Sequence, residues 1–327
     1  RTGDGGATWE HLDPGNRSPL LSVAASGPGA AVAVGENGTV LTTDDGGRSW
    51  TLRVSGTGDH LVALSVPAPA QAVWAAGETG TVITSTDGGL NWNARNLETS
   101  STLTAVCAVD ASIAWLAGRG GLLRRTSDGG ANWTSQDTGS SSTVLSIYAA
   151  DADNAWAVGE GGMVVKTYDG GTTWVPQYVS DGRTLNDVCA NGASAGVAWA
   201  AGEAGAALRS ADGGFTWAPL YPGTTLNLYG VAAADADNAW LVGQDGLILR
   251  TRDGGKSWEE QPSRASYDLR DVSCVDAGVA WAVGRRGTIV RTFDEGQTWY
   301  RQDFEEAPQG AGDLLGVYAA DASTAYA

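Results

Sequence analysis

The hexapeptide Asp-Gly-Gly-x-x-Trp, or a one-residue variant of it, occurs eight times in the chain, with its Asp at positions 4, 45, 87, 128, 169, 212, 253 and 294. The intervals are 41, 42, 41, 41, 43, 41 and 41 residues, so one structural unit is copied from end to end. A period in this range with strand-like patterning belongs to propeller blades and not to helical repeats. No linker or compositional shift interrupts it, which predicts a single all-β propeller domain over residues 1–327, with seven complete repeats and a terminal repeat split between the ends.

The other abundant residues serve the same repeat. The 47 glycines fall at fixed phases and mark turns. Eight of the 14 tryptophans close the hexapeptides (Trp9, Trp50, Trp92, Trp133, Trp174, Trp217, Trp258, Trp299). The remaining six (Trp74, Trp115, Trp156, Trp199, Trp240, Trp281) share a second repeat position. Within one repeat, Val144 to Ala149 alternates and is rich in β-branched and aromatic residues, which reads as a strand. Ala155 to Val158, Met163 to Thr167 and a segment from Thr173 follow, separated by turn residues, so each blade has four short antiparallel strands. First strands carry small residues such as Ala24, Ala105, Ala108, Gly230 and Gly316, as crowding at a central axis demands.

The hexapeptide has its own mechanics. A Ser or Thr stands two residues before every Asp (Asp4, Asp45, Asp87, Asp128, Asp169, Asp212, Asp253, Asp294), and a hydroxyl or amide stands just before every Trp. The carboxylate can accept backbone N–H bonds from the turn it begins, while the glycines take the positive φ of a tight hairpin. The last copy reads Asp294-Glu295-Gly296, so Glu295 is expected to be strained.

Composition narrows the partners. A formal charge of −17 disfavours nucleic acid, which requires a basic surface. No run of 18 apolar residues exists, so no helical membrane insertion is expected. The three cysteines, Cys107, Cys189 and Cys274, lie two blades apart and are expected as buried thiols. The chain opens at Arg1 in mid-repeat, without an initiator Met or signal sequence, and is read as an excerpt of a longer or processed product.

The pattern S/T-x-D-G-G-x-S/T-W is similar to the Asp-box of sialidases and other secreted propellers. The stretches from Ala155 to Gly162 (AWAVGEGG) and from Ala280 to Gly287 (AWAVGRRG) resemble the repeats of photosystem II stability and assembly factors. That resemblance covers nearly the whole chain. It implies protein binding without catalysis, an arginine-rich recognition patch, bacterial sources in which such proteins are often exported, and seven blades. The chain's ends instead favour eight: Arg1 aligns with Arg291 and Ala327 with Ala282, leaving a gap of eight residues in a ring of about 42 per blade. Eight blades is the expectation taken forward, with seven as the alternative.

Three constellations stand out. The turn between second and third strands carries Glu36, Glu78, Arg119, Glu160, Glu203, Gln244 with Asp245, and Arg285 with Arg286. It is either a recognition surface or a set of solvated hairpin tips. Arg124 occupies a position that is Leu41, Ile83, Val165, Leu208, Leu249 or Val290 elsewhere. With Arg119 and Arg125 it forms a basic patch, or it pairs with a carboxylate of a neighbouring blade. The residue three before the Asp is cationic at Arg1, Arg125, Lys166, Arg209, Arg250 and Arg291, which suits inter-blade ion pairs or stems lying on apolar surface.

Catalytic and metal chemistry find little support. His11 and His60 are too few for a triad or zinc site. Asp151-Ala-Asp153-Asn154 and Asp235-Ala-Asp237-Asn238 begin like a calcium loop but lack its central Gly and distant Glu. No metal or cofactor is expected. The leading expectation is a non-catalytic scaffold, extracellular, at the cell surface or periplasmic, that binds a protein partner or surface assembly. The alternatives are a carbohydrate-directed propeller, lectin-like or a glycosidase with a carboxylate pair, and a structural element of a surface array.

Overall fold

The computed structural model describes residues 18–27, 29–67, 71–177, 182–191, 196–301, 313–319, 321–322 and 325–327. These residues form a β-propeller of seven four-stranded antiparallel blades, each in the strand order first-second-third-fourth. Blade I spans 20–53, II 61–95, III 103–135, IV 144–176, V 185–219, VI 228–260 and VII 269–301. The expectation of eight blades is corrected to seven. Beyond blade VII the described residues hold only a two-stranded sheet of Tyr318–Ala319 and Ala325–Tyr326, too short to make a blade. The first box, with Thr2, Asp4, Thr8 and Trp9, lies outside the described residues, as do Arg1 and His11.

Backbone proximity groups the described residues into two compact units, one of residues 18–157 with Val165–Pro176 and the other of Val158–Val164 with the described residues from Gln177 onward. In the former the first strands of blades I and II, II and III, and III and IV pack side by side. In the latter the same holds for V and VI, VI and VII, and VII with Tyr318–Ala319.

Blade VII shows the local logic. Its strands are Leu269–Cys274, Ala280–Gly284, Thr288–Thr292 and Tyr300–Arg301. The second strand is buried throughout because it is central in its sheet and covered on both faces. It ends at Gly284, where a Cβ would stand 1.9 Å from the Asp268 carbonyl oxygen. Gly35, Gly77, Gly202 and Gly243 meet the same constraint, which explains the Gly that closes each second strand. The missing side chain lets the backbone entering the first strand cross close by.

The core lies between blades. Buried residues of blades VI and VII, among them Trp240, Val242, Val272 and Trp299, form one cluster. Blades II and III, V and VI, and I and II build equivalent ones. Strand register aligns a row across each sheet: Cys107, Trp115 and Arg125 are cross-strand partners in blade III, as are Cys189, Trp199 and Arg209 in blade V. Every member of such a row reaches toward the next blade. Cys107 Sγ accepts the Ala149 N–H at 3.2 Å, Trp115 meets Trp174 edge to face at 5.5 Å, and Arg125 donates to the Ala152 carbonyl at 3.1 Å. Arg125 also lies over its own Trp115 ring at 5.1 Å, a cation–π contact worth about 0.5–2 kcal/mol.

This row settles how the cations three before each Asp are used. Arg209, Arg250 and Arg291 repeat the stacking on Trp199, Trp240 and Trp281 and the bond to the next carbonyl, at Ala236, Ala277 and Ala322. Lys166 stacks between Trp156 and Tyr168. Stacking on the indole is the role they share; Arg250 adds a carboxylate, Glu295 at 3.9 Å. Blades I and II have Thr42 and Thr84 at this position, and Arg53 and Arg95 of the fourth strands bond those hydroxyls instead.

Seven boxes adopt the expected network. In blade VI, Asp253 Oδ1 accepts from the Thr251 hydroxyl and the Ser257 N–H, Asp253 Oδ2 accepts the Ser257 hydroxyl at 2.6 Å, and the Gly255 N–H returns to Thr251. Glu295, which replaces the first turn Gly, has φ 62, the left-handed region that costs a non-Gly residue about 1 kcal/mol or more. The three cysteines are free, and burial pushes the thiols of Cys107, Cys189 and Cys274 up, as expected of enclosed sulfurs, although each residue keeps part of its surface exposed.

The boxes make acid stability testable. Hydrogen bonds from Ser257, side chain then backbone, hold Asp253 down at about 2, and Asp45, Asp87, Asp128 and Asp212 lie at about the same value. A depressed carboxyl contributes its full stabilisation above its ordinary value of 3.8 and loses it as pH falls through about 2. The stability gap between wild type and Asp253→Asn, read from urea midpoints, is therefore expected to be constant from neutral pH to about 4 and to narrow between about 4 and 2. Parallel curves down to pH 2 contradict this.

Candidate functional site

The turns between second and third strands are single 3₁₀ turns: Glu36–Gly38, Glu78–Gly80, Arg119–Gly121, Glu160–Gly162, Glu203–Gly205, Gln244–Gly246 and Arg285–Gly287. Their first residue is anchored by its backbone. The N–H groups of Glu36, Glu78, Arg119, Glu203, Gln244 and Arg285 donate to the carbonyl that precedes the first strand of the same blade. The middle residue is left-handed, at Asn37, Thr79, Ala204, Asp245 and Arg286 with φ between 49 and 57. The third is Gly, and at Gly205 and Gly246 a Cβ would press to 2.1 and 2.4 Å on the Thr224 and Ala265 carbonyls of the following linker. Sequence position alone did not reveal that Asp245 and Arg286 occupy the left-handed middle place of the turn, whereas Glu36 and Glu203 occupy its first.

The middle N–H is capped from the next blade. Asn37 donates to His60 Nδ1, Ala204 to Asn227 Oδ1, Asp245 to Asp268 Oδ1 and Arg286 to Asp313 Oδ1, at 2.9–3.2 Å. The capping residues His60, Asn227 and Asp268 immediately precede a first strand, and Asp313 holds the equivalent position of the sequence repeat, ahead of Tyr318–Ala319. His60 is thereby given a structural task, with Glu78 4.0 Å from its other nitrogen.

Blade VII gathers the densest set of recognition groups. Arg285 and Arg286 are exposed at its turn, and Arg270 rises from the second position of its first strand. Arg286 bonds the Tyr267 hydroxyl at 3.1 Å and lies over that ring at 4.7 Å; Arg270 lies over Tyr229 at 4.3 Å. Asp268 pairs with Arg270 at 3.1 Å and approaches Arg285 at 4.0 Å, while Asp313 pairs with Arg285 at 3.3 Å. Of this cluster only Arg285 and Arg286 stood out in the sequence. Arg270, Tyr229 and Tyr267 sit at positions whose convergence depends on strand register.

The other basic patch does not assemble. Arg124 and Arg125 are consecutive in a strand and so emerge on opposite faces of the sheet. Arg125 is committed to Trp115 and Ala152 toward blade IV. Arg124 lies opposite Leu116, whose cluster is shared with blade II, and bonds the Ser135 hydroxyl at 2.7 Å. The carboxylate proposed as its alternative partner is not found among the described residues. Arg119 stands apart at the turn tip. Among the acidic members Glu36 and Glu78 are half-buried, whereas Glu160, Glu203 and Asp245 are exposed. Asp151 and Asp235 accept N–H groups of their own turns and the side chains of Asn154 and Asn238, so the calcium-like stretches are hydrogen-bonded turns. Among the described residues no helix is long and apolar enough to cross a membrane.

Fold and turns together define an Asp-box β-propeller. The chain belongs to the family described as photosynthesis system II assembly factor YCF48, which matches residues 61–140 and 216–325, more than half of its length. Comparison with curated proteins gives no match. Among solved structures, one described as YCF48 bound to D1 peptide aligns with a TM-score of 0.66 at 19% identity, covering 84% of this chain and 91% of that one. Sqt1 of Chaetomium thermophilum, bound to the N-terminus of the ribosomal protein L10, aligns at 0.72 and 14% identity over 93% and 92%. The GH74 xyloglucanase of Xanthomonas campestris aligns at 0.66 and 15% identity over 91% of this chain but 56% of its own. At these identities the likenesses establish the fold.

Two acids escaped notice in the sequence. Asp187 and Asp271 occupy the third position of the first strands in blades V and VII, where other blades have Ser22, Ala63, Ala105 or Gly230. Each accepts the next residue's N–H and one from the following first strand, Val231 at 3.0 Å and Val317 at 2.8 Å. Desolvation, then the charge of Asp187, pushes Asp271 up to about 7. A raised carboxyl is neutral in both states at low pH, and it weakens the fold as pH climbs from its ordinary 3.8 to about 7. Asp271→Asn is therefore expected to gain stability relative to wild type across that window and to keep a constant difference above it, as read from urea midpoints; a difference independent of pH contradicts this.

Proposed function

We propose that this protein is a non-catalytic binding propeller that captures an extended protein segment on the turn-tip face of blade VII. Membership of an assembly-factor family supports the class of function. Two propellers of the same fold are described in complex with protein segments, a D1 peptide and the N-terminus of L10, which supports the kind of ligand. The observation that carries the location is the convergence of Arg270, Arg285 and Arg286 with Tyr229 and Tyr267. Arginine and tyrosine supply planar, amphipathic contact area together with directional hydrogen bonds, and they are enriched where binding energy concentrates.

A rim of this kind on a protein of charge −17 gives local selectivity for acidic segments against a repelling background. The turn backbone is anchored independently of these side chains, so residues there can vary without loss of the fold. Arg286 is the informative position, because its left-handed φ of 55 is relieved by Gly.

Arg286→Gly and Arg270→Glu are expected to keep the melting temperature within a few degrees of wild type and to remove most of the partner recovered by affinity capture and quantitative mass spectrometry from the native host. Unchanged recovery by both variants contradicts the assignment to blade VII. Hydrolysis of a β-glucan by the wild-type protein contradicts the non-catalytic reading.

A further inference from the structure

The residues that precede the first strands of the successive repeats are Pro19, His60, Thr102, Thr143, Thr184, Asn227, Asp268 and Asp313. Where this residue caps the preceding turn, a neutral acceptor suffices: His60 Nδ1 does it for Asn37 and Asn227 Oδ1 does it for Ala204. Acids stand only at the two positions that flank the arginines of blade VII. Asp268 and Asp313 use one oxygen for the cap, on Asp245 and Arg286. The second oxygen of each goes to guanidinium groups: Asp268 Oδ2 to Arg270 at 3.1 Å and Arg285 at 4.0 Å, and Asp313 Oδ2 to Arg285 at 3.3 Å. The cap needs no charge. The charge therefore has its effect on the arginines alone.

Building on the reading of blade VII as the capture site, we propose that Asp268 and Asp313 hold Arg270 and Arg285 in a self-masked state, and that a carboxylate of an acidic protein segment binds by displacing them. The Asp313 side chain already shows the geometry such a carboxylate meets, one oxygen on the Arg286 N–H and the other on Arg285 Nε. Exposure favours exchange, since Arg285 is 52% and Asp313 42% exposed and pairs of this kind are weak in water. Internal occupancy lowers the apparent affinity for every acidic ligand in proportion to the fraction of molecules masked, and it favours ligands with several carboxylates over a single stray anion.

Asp313→Asn is the clean variant, because Asn227 demonstrates that Asn keeps the cap. The probe is a fluorescein-labelled decapeptide of alternating Glu and Ala, made with a free and with an amidated C-terminus and followed by fluorescence anisotropy at low salt. Asp313→Asn is expected to bind about three- to fivefold more tightly than wild type, and the Asp268→Asn, Asp313→Asn double variant about tenfold more tightly, with melting temperatures unchanged. Equal gains for both peptides assign the carboxylate to side chains, and a gain confined to the free form assigns it to a chain end. Affinity that is unchanged or weaker in both Asn variants, or no binding of either peptide to them, overturns the masking. The capture reading fails separately, through indifference of partner recovery to Arg286→Gly and Arg270→Glu.

Discussion

In blades III, V and VII one cross-strand row makes the seam to the strands that follow: a small polar residue on the first strand, an indole on the second and a cation on the third, while blades I and II carry Thr42 and Thr84 in place of the cation. A lone four-stranded sheet of this size would leave both faces wet and its inner edge unpaired. The row answers all three needs. The first-strand Ser or Cys caps an N–H of the neighbouring edge, as Ser65 does for Ala108 and Ser273 for Ala319. The indole fills the space between sheets against the next box Trp, and the cation covers that indole while reaching a carbonyl beyond it. The row is therefore the unit that repetition copies, and the Asp-box hairpin is the device that delivers the second indole to it.

Separation of duties follows from that arrangement. The boxes and the turns between first and second strands hydrogen-bond to each other within a blade, as the Gly254 N–H does to the Asp237 carbonyl, and they serve the seam. The turns between second and third strands are held through their backbone N–H groups, which donate to a carbonyl before the first strand and to a capping side chain from the following linker, so the tips at Arg285 and Arg286 can present their side chains for recognition. In blade VII those side chains meet arginine and tyrosine from the adjoining strand and linker. The result is a charged, aromatic surface whose own acids compete with whatever it binds.

The fold was legible because each repeat restates it: eight boxes, evenly spaced Trp, and strand alternation between turn residues. The blade count was misread as eight, because the distance between the chain's ends in units of the repeat does not say how many strands pair into a blade. The candidate site was legible in part. Arg285 and Arg286 are neighbours in sequence, whereas Arg270, Tyr229, Tyr267 and the two capping acids converge only through strand register and the passage from one blade to the next. Arg124 and Arg125 were misleading for the same reason, since adjacency along a strand sends side chains apart. The exchange of Arg53 and Arg95 for the missing third-strand cations was invisible because a fourth-strand residue substitutes for one eleven positions earlier. Asp187 and Asp271 looked like ordinary acids until the neighbouring first strand was seen to supply their hydrogen-bond donors.

The account rests on energetic coupling between indoles of successive blades, and a double-mutant cycle measures that coupling directly. Trp199 and Trp258 lie 6.2 Å apart with their planes at 86°. Urea unfolding of wild type, Trp199→Leu, Trp258→Leu and the double variant is expected to give a coupling energy of about 0.5–1.5 kcal/mol. Additivity to within about 0.3 kcal/mol would show that each indole merely fills its own blade, and would contradict the seam as the source of the fold's stability.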